Sequence, residues 1–155
     1  NNSMIKNKSM KYELFYNKNL LITKNIINSI IKIDKKIKFI FAGSSLMFSK
    51  KNGKVNENSK FRASCYYSKY KIDAHNYLIK MKRKFKLFAT TAILFNHDSK
   101  YRNPKFLFPR LVYYLKNKKF NLIEDIYKQN IIGDFSHAED ICNAIYLLIL
   151  SKKKP

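Results

Sequence analysis

The stretch from Phe85 to Phe95, FKLFATTAILF, is the feature that most constrains this chain. Apart from Lys86 it is apolar or threonine throughout, so neither of its faces is suited to water. Such a run reads as a central strand buried on both sides, which demands helices above and below and therefore a parallel α/β arrangement. The flanking segments agree. Tyr67 to Lys84 places Tyr70, Ala74, Tyr77, Leu78 and Met81 on one face of a long helix, and Leu20 to Ile33 repeats Leu21, Ile22, Ile26, Ile27, Ile30 and Ile31 at helical spacing. Ile37 to Phe41 reads as a short strand running into the small-residue turn Ala42-Gly43-Ser44-Ser45. Lys50 to Lys60, polar and containing Gly53, reads as a loop. Pro104 and Pro109 bracket a segment leading into a helix that ends near Lys119. Ala138 to Leu150, acidic at its start and followed by lysines, closes the order with another helix.

At 155 residues the chain is expected to form a single domain, residues 1–155. Its formal charge of +22 is the quantity that bears on partners. Self-repulsion on this scale destabilises a compact state unless a polyanion neutralises it, which disfavours a free metabolic enzyme and favours a nucleic-acid partner. Lys, Asn, Ile, Phe and Tyr make up 87 of the 155 residues, the signature of AT-rich coding, and this accounts for part of the lysine. It leaves the scarcity of acids, only 10, unexplained. The longest apolar run at the C-terminal end, Ile141 to Leu150, is half of a membrane span. Cys65 and Cys142 fit no CxxC spacing, and His75, His97 and His137 are too far apart for a local zinc site, so no metal is expected. Asn1-Asn2-Ser3-Met4 shows neither a secretory nor a transit signal.

Four motifs, in order, resemble one family. Phe41-Ala-Gly-Ser-Ser-Leu-Met-Phe-Ser-Lys50 is similar to the ASTSEMFGK turn of the GDP-mannose 4,6-dehydratases, which are extended short-chain dehydrogenases/reductases. Tyr67-Ser-Lys-Tyr-Lys-Ile-Asp-Ala-His75 is similar to their YGVAKLYAH helix start, with its Tyr-x-x-x-Lys signature. Phe85 to Ser99 resembles their strand and FNHES turn, and Gly133 to Asp140 with the following apolar helix resembles RDWGFAGDYVEAMWLML. The resemblance implies an α/β fold: an incomplete Rossmann-like parallel sheet with flanking helices, corresponding to the C-terminal half of a nucleotide-binding domain. The GxGxxG turn that seats the NADP pyrophosphate is not formed by any of Gly43, Gly53 or Gly133.

The resemblance also assigns roles. A Tyr acts as base beside a Lys ammonium, a Thr hydroxyl shares the substrate hydrogen bond, and a Glu moves the proton at C5. Tyr67 and Lys71 match the pair, and Ser44 stands for the Thr with its hydroxyl kept. Leu46 stands where the Glu belongs and cannot transfer a proton. His97 and Arg102 match positions that contact NADP, while Lys100 and Asn103 replace the Pro and Gly of the PRRGE turn. On this reading Ser44, Tyr67 and Lys71 are vestigial catalytic residues, His97 and Arg102 are vestigial cofactor residues, and the chain is a non-enzyme with no cofactor.

Positive charge gathers at Lys80, Lys82, Arg83, Lys84 and Lys86, at Lys116, Lys118 and Lys119, and at Lys152, Lys153 and Lys154. Tyrosines such as Tyr113 and Tyr114 are interleaved, and lysines of this kind meet phosphate without reading bases. The expectation is a structural subunit of a large RNA-containing assembly. A mitochondrial ribosomal protein derived from a sugar-nucleotide dehydratase fits it best, contacting ribosomal RNA and neighbouring proteins. Such a chain would not live as a stand-alone monomer. The alternative is a fragment or split subunit of an NADP-dependent GDP-mannose 4,6-dehydratase, and a second alternative is a structural subunit of a respiratory complex.

Overall fold

A computed structural model describes residues 2–49, 53–153 and 155, with side chains from Met10 onward. Lys154, one of the cations singled out above, and the first three residues of the expected Lys50 to Lys60 loop lie outside the described residues.

The chain divides into two compact units, residues 1–94 with 149–155, and residues 95–148. In the first unit, helix α1 runs from Asn2 to Ile33, well beyond the expected start at Leu20. Tyr16, Leu20, Thr23, Ile27 and Ile30 follow one another at three- and four-residue steps, and this stripe faces inward, with Ile27 only 1% exposed. Leu21, Ile22 and Ile26 remain on the outer face. Strand β1, Phe39–Ala42, follows a turn in which the Lys36 amide donates to the Asp34 carboxylate at 2.8 Å.

Helix α2, Tyr66–Phe85, buries Tyr70, Ala74 and Leu78 at successive four-residue steps. It starts at a reciprocal cap: the Ser68 amide donates to Cys65 Sγ, and the Ser68 hydroxyl accepts from the Cys65 amide at 3.1 Å. It ends at Lys86, whose φ of +57° places a non-glycine residue in the left-handed region. That cap corrects the reading of Phe85 to Phe95 as one strand. Phe85 is the last residue of the helix, the best-buried part is Leu87 to Ala89, and the paired strand β2 is only Ala89–Ala92.

Strands β1 and β2 are parallel, in the register Phe39↔Ala89 to Ala42↔Ala92, with α2 as the crossover. The ladder continues through the Gly43 and Ser45 amides, which donate to the Ala92 and Leu94 carbonyls at 2.8 and 2.9 Å. Ile27, Phe41, Tyr70, Ala74, Leu78, Leu87 and Ala89 form the core between helices and sheet. Lys38, just before β1, donates to the Ile149 and Ser151 carbonyls at the C-terminal end of the chain.

The second unit holds a second parallel pair, β3 (Asn96–Asp98) with β4 (Phe135–His137), and the helices α3 (Leu107–Lys116), α4 (Phe120–Lys128) and most of α5 (Ala138–Leu150). The helix expected to end near Lys119 stops at Lys116, because Lys118 turns to a φ of +54° and starts a new helix. Pro109 sits within the first turn of α3, where its missing N–H costs no helical hydrogen bond. Phe108 meets Phe135 edge-to-face at 5.0 Å, yet no residue of α3, α4 or α5 is buried. Parallel strands joined through helices confirm the α/β fold and its incomplete Rossmann-like sheet.

Candidate functional site

The site begins where β1 ends. Gly43 lies so close to β2 that an added Cβ would come within 2.8 Å of Thr91 Cγ2. Ser44 follows in extended conformation and caps a single 3₁₀ turn, Ser45–Met47, its hydroxyl accepting from the Leu46 amide at 3.2 Å. Met47 and Phe48 anchor that turn in the interior, and Leu46 is left outside, 43% exposed. Two consecutive buried anchors thus fix the backbone that presents Ser44 and Leu46.

Tyr67 and Lys71 stand one helical turn apart at the start of α2, the spacing that puts both on one face. The Lys71 ammonium donates to the Ala42 carbonyl at 2.7 Å, tying this helix face to the end of β1 beside Ser44. It also lies over the rings of Phe41, Tyr70 and Tyr67, at 4.9, 5.2 and 5.5 Å from their centroids. Burial pushes the Lys71 amine below its ordinary value. Tyr67 is 36% exposed and stacks on Phe15 of α1, centroids 6.5 Å apart. Tyr67 and Lys71 are thus brought to the end of β1, two positions before Ser44 in the chain. Phe41 and Tyr70 join them although the sequence reading treats Tyr70 only as part of an apolar helix face and Phe41 as a strand residue. No spacing rule connects an aromatic on a strand to an amine 30 positions later.

Next to this group, Asp73 accepts from Tyr16 at 2.6 Å and from Lys69 at 2.7 Å, pinning α1 to α2. Burial pushes the Asp73 carboxyl up, but the Lys69 and Tyr16 hydrogen bonds outweigh it and hold it below the usual range. The Cys65 thiol is likewise raised by burial and lowered further by the hydrogen bonds of Ser68, so that it lies below its ordinary value.

His97 and Arg102 belong to the second unit. His97 Nδ1 lies 2.9 Å from the Phe95 carbonyl and is therefore the protonated nitrogen. Arg102 packs its guanidinium on the Phe106 ring at 3.8 Å, donates to the His97 carbonyl, and meets Asp98 at 3.0 Å off the hydrogen-bonding line. Both are engaged in holding their own loop. Among the described residues no three His, Cys, Asp or Glu side chains gather as a metal site.

The lysine clusters fall at helix ends. Lys80, Lys82, Arg83 and Lys84 occupy the last turns of α2, and Lys86 caps it. Lys116 ends α3, Lys118 and Lys119 link it to α4, and Lys152 and Lys153 follow α5. Several have partners within the chain: Lys82 donates to the Pro155 carbonyl, Lys84 lies over Phe85 and Lys119 over Tyr113.

A family model described as GDP-mannose 4,6 dehydratase matches residues 2–155. The chain is 30% identical over 119 residues to GDP-mannose 4,6 dehydratase 1 of Arabidopsis thaliana, covering 76% of this chain and 33% of that protein. It is 26% identical over 124 residues to the GDP-mannose 4,6 dehydratase of Dictyostelium discoideum, covering 78% of this chain and 35% of that protein. The chain thus spans about a third of the length of the curated relatives it matches. Among solved structures, dTDP-glucose 4,6-dehydratase of Streptomyces venezuelae with NAD and TYD bound superposes with a TM-score of 0.70 at 15% identity, over 96% of this chain and 46% of that one. UDP-glucuronic acid 4-epimerase of Bacillus cereus, in complex with UDP-glucuronic acid and NAD, gives 0.68 at 16%, over 88% and 42%.

These findings overturn two expectations. The reading as a mitochondrial ribosomal, RNA-contacting subunit fails, because the similarity is to sugar-nucleotide enzymes from one end of the chain to the other. Most of the lysines behind it end or follow α2, α3 and α5, where helix dipoles favour cations, although Lys119 caps the N-terminus of α4, and AT-rich coding supplies many of them. The expectation of no cofactor fails too, because the solved proteins sharing this fold are described with NAD bound. The matched residues, the motif order and the parallel α/β fold agree, and this chain belongs to the GDP-mannose 4,6 dehydratase family.

Proposed function

We propose that the chain is the part of an NADP-dependent nucleotide-sugar enzyme that manages the proton at sugar C4. The observation that supports this best is the placement of Lys71, held by the Ala42 carbonyl beside Ser44 and over the ring of Tyr67. In this reading the Lys71 cation stabilises Tyr67 as its phenolate, the phenolate takes the C4 hydroxyl proton and becomes the phenol, and the Ser44 hydroxyl holds the same C4 oxygen.

The residues present fit one end of a dinucleotide. Lys71 spends one of its three donors on Ala42, leaving two for a ribose diol, and the exposed Tyr67 stands beside it at the carboxyl ends of two parallel strands. Tyr67 and Lys71 would hold the nicotinamide ribose. The bound group supplies the hydride acceptor. The pyrophosphate is not held by this chain's glycines, since Gly43 closes on β2, Gly53 stands in a loop and Gly133 faces Phe135.

Leu46 has no proton to give, so position 46 does not support loss of water across C5 and C6. A second reading, a family member without turnover, rests on that leucine. The test is to incubate the protein with NADP⁺ and GDP-mannose, following nicotinamide absorbance and sugar mass. Reduction of the dinucleotide without water loss, abolished by Tyr67→Phe, supports the first reading. No reduction by the unaltered protein, with both ligands shown to bind, establishes the second.

A further inference from the structure

We infer that Phe41 and Tyr70 are positioning residues for Lys71, forming with the Ala42 carbonyl an aromatic box that fixes where its ammonium points. The proposal deepens the reading above, since the role given to Lys71 rests on it.

A lysine on its four-carbon stem ordinarily samples many rotamers and keeps its ammonium hydrated. Lys71 is half-buried, so part of that hydration is replaced. One carbonyl at 2.7 Å replaces one water, and the faces of Phe41 and Tyr70, at 4.9 and 5.2 Å, replace others. These two rings are themselves immobilised. Phe41 is 7% and Tyr70 8% exposed, and they meet edge-to-face at 6.1 Å. Phe15 closes on Tyr70 at 6.3 Å, and the Tyr70 hydroxyl shares a 3.3 Å hydrogen bond with the buried Thr23 of α1. The third ring, Tyr67, is the exposed one, so the box opens toward it.

The arrangement is not a generic consequence of the Tyr-x-x-x-Lys signature. In the YGVAKLYAH motif the residue before the lysine is alanine, and here it is Tyr70. Apolar burial alone needs no ring at that place. A ring there, facing a second ring on the neighbouring strand, gives the cation two fixed walls and one open side.

The test is NMR of the protein carrying labelled lysine, with Lys71→Arg identifying the Lys71 side-chain signal. Ring currents should move its ε-methylene resonance upfield of the other lysines. Tyr70→Phe should keep that shift and Tyr70→Leu should lose most of it, with Phe41→Leu losing part. The Ala74 and Leu78 methyl signals show whether the helix face stays packed. If Tyr70→Leu unfolds, the unaltered protein and Tyr70→Phe decide the question. A Lys71 resonance among the surface lysines in the unaltered protein, or a Tyr70→Phe variant that loses the shift, overturns the proposal. A shifted Lys71 in a protein that does not reduce NADP⁺ removes the functional reading and leaves the box standing. Reduction with an unshifted Lys71 does the reverse.

Discussion

Gly43 is the residue at which a single methyl group does most harm. Besides Thr91 Cγ2, its added Cβ would meet the Ala92 carbonyl and Ile93 Cα, both at 3.3 Å, and backbone cannot rotate away as a side chain can. Gly43→Ala should therefore cost about 1–3 kcal/mol, read as a lowered thermal midpoint. It should also displace Ser44, whose backbone continues the same turn. Asp73 gives a pH-dependent counterpart. Its carboxyl titrates below the unfolded value of about 3.9, so its contribution is complete above that pH and is lost as pH falls through the folded value. Its side chain is 33% exposed and that of Lys69 is 51%, so solvent screens the pair and keeps its worth under about 1 kcal/mol. Asp73→Asn should flatten the acid limb of stability below about pH 4 while costing little at neutrality. An acid limb identical to that of the unaltered protein would contradict the pin between α1 and α2.

Element ends are set by features of differing legibility. Ala138 to Leu150 is read to the residue, because Glu139 and Asp140 mark its start and the apolar run fills its body. The start of α1 is not, because its N-terminal half is kept helical partly through Tyr16, whose hydroxyl reaches Asp73, 57 positions away. Periodicity does not encode a partner that distant. The break after Phe85 is equally hidden, since it depends on Lys86 adopting a conformation usually left to glycine. β3, β4 and α4 escape notice because three-residue strands and a nine-residue helix carry too few repeats to establish a period. The site divides in the same way: Ser44, Tyr67 and Lys71 are legible through motifs, and Phe41 and Tyr70 only through packing. At the start of α2, Cys65 does with a weak sulfur acceptor what serine does better. Cys65→Ser should raise the thermal midpoint and Cys65→Ala lower it, a spread of about 0.5–2 kcal/mol. Equal midpoints would mean that the cap carries no stability.

For the whole molecule, burial is distributed unevenly. Residues 1–94 contain the whole of the buried core cluster, whereas α3, α4 and α5 bury nothing, and Ile132 and Tyr127 are more than four-fifths exposed. Local opening should follow that difference. In hydrogen exchange, amides of α3 and α4 should be lost well before those of β1, β2 and the middle of α2. Uniform protection across both units would show that unit 95–148 is covered by something else.

The register of the first strand pair also sets a schedule. Phe39 pairs with Ala89, so each residue of the strand lies fifty positions from its only described partner. At roughly 5–20 residues per second of chain growth, Phe39-Ile40-Phe41 leaves the synthesis machinery some 3–10 s before β2 exists. Through that interval an apolar edge waits without its ladder, and α2 must fold before the wait can end. Slowing chain growth while β1 has emerged and β2 has not should lengthen the exposure and shift product from soluble to aggregated, while the same slowing after β2 has emerged should not.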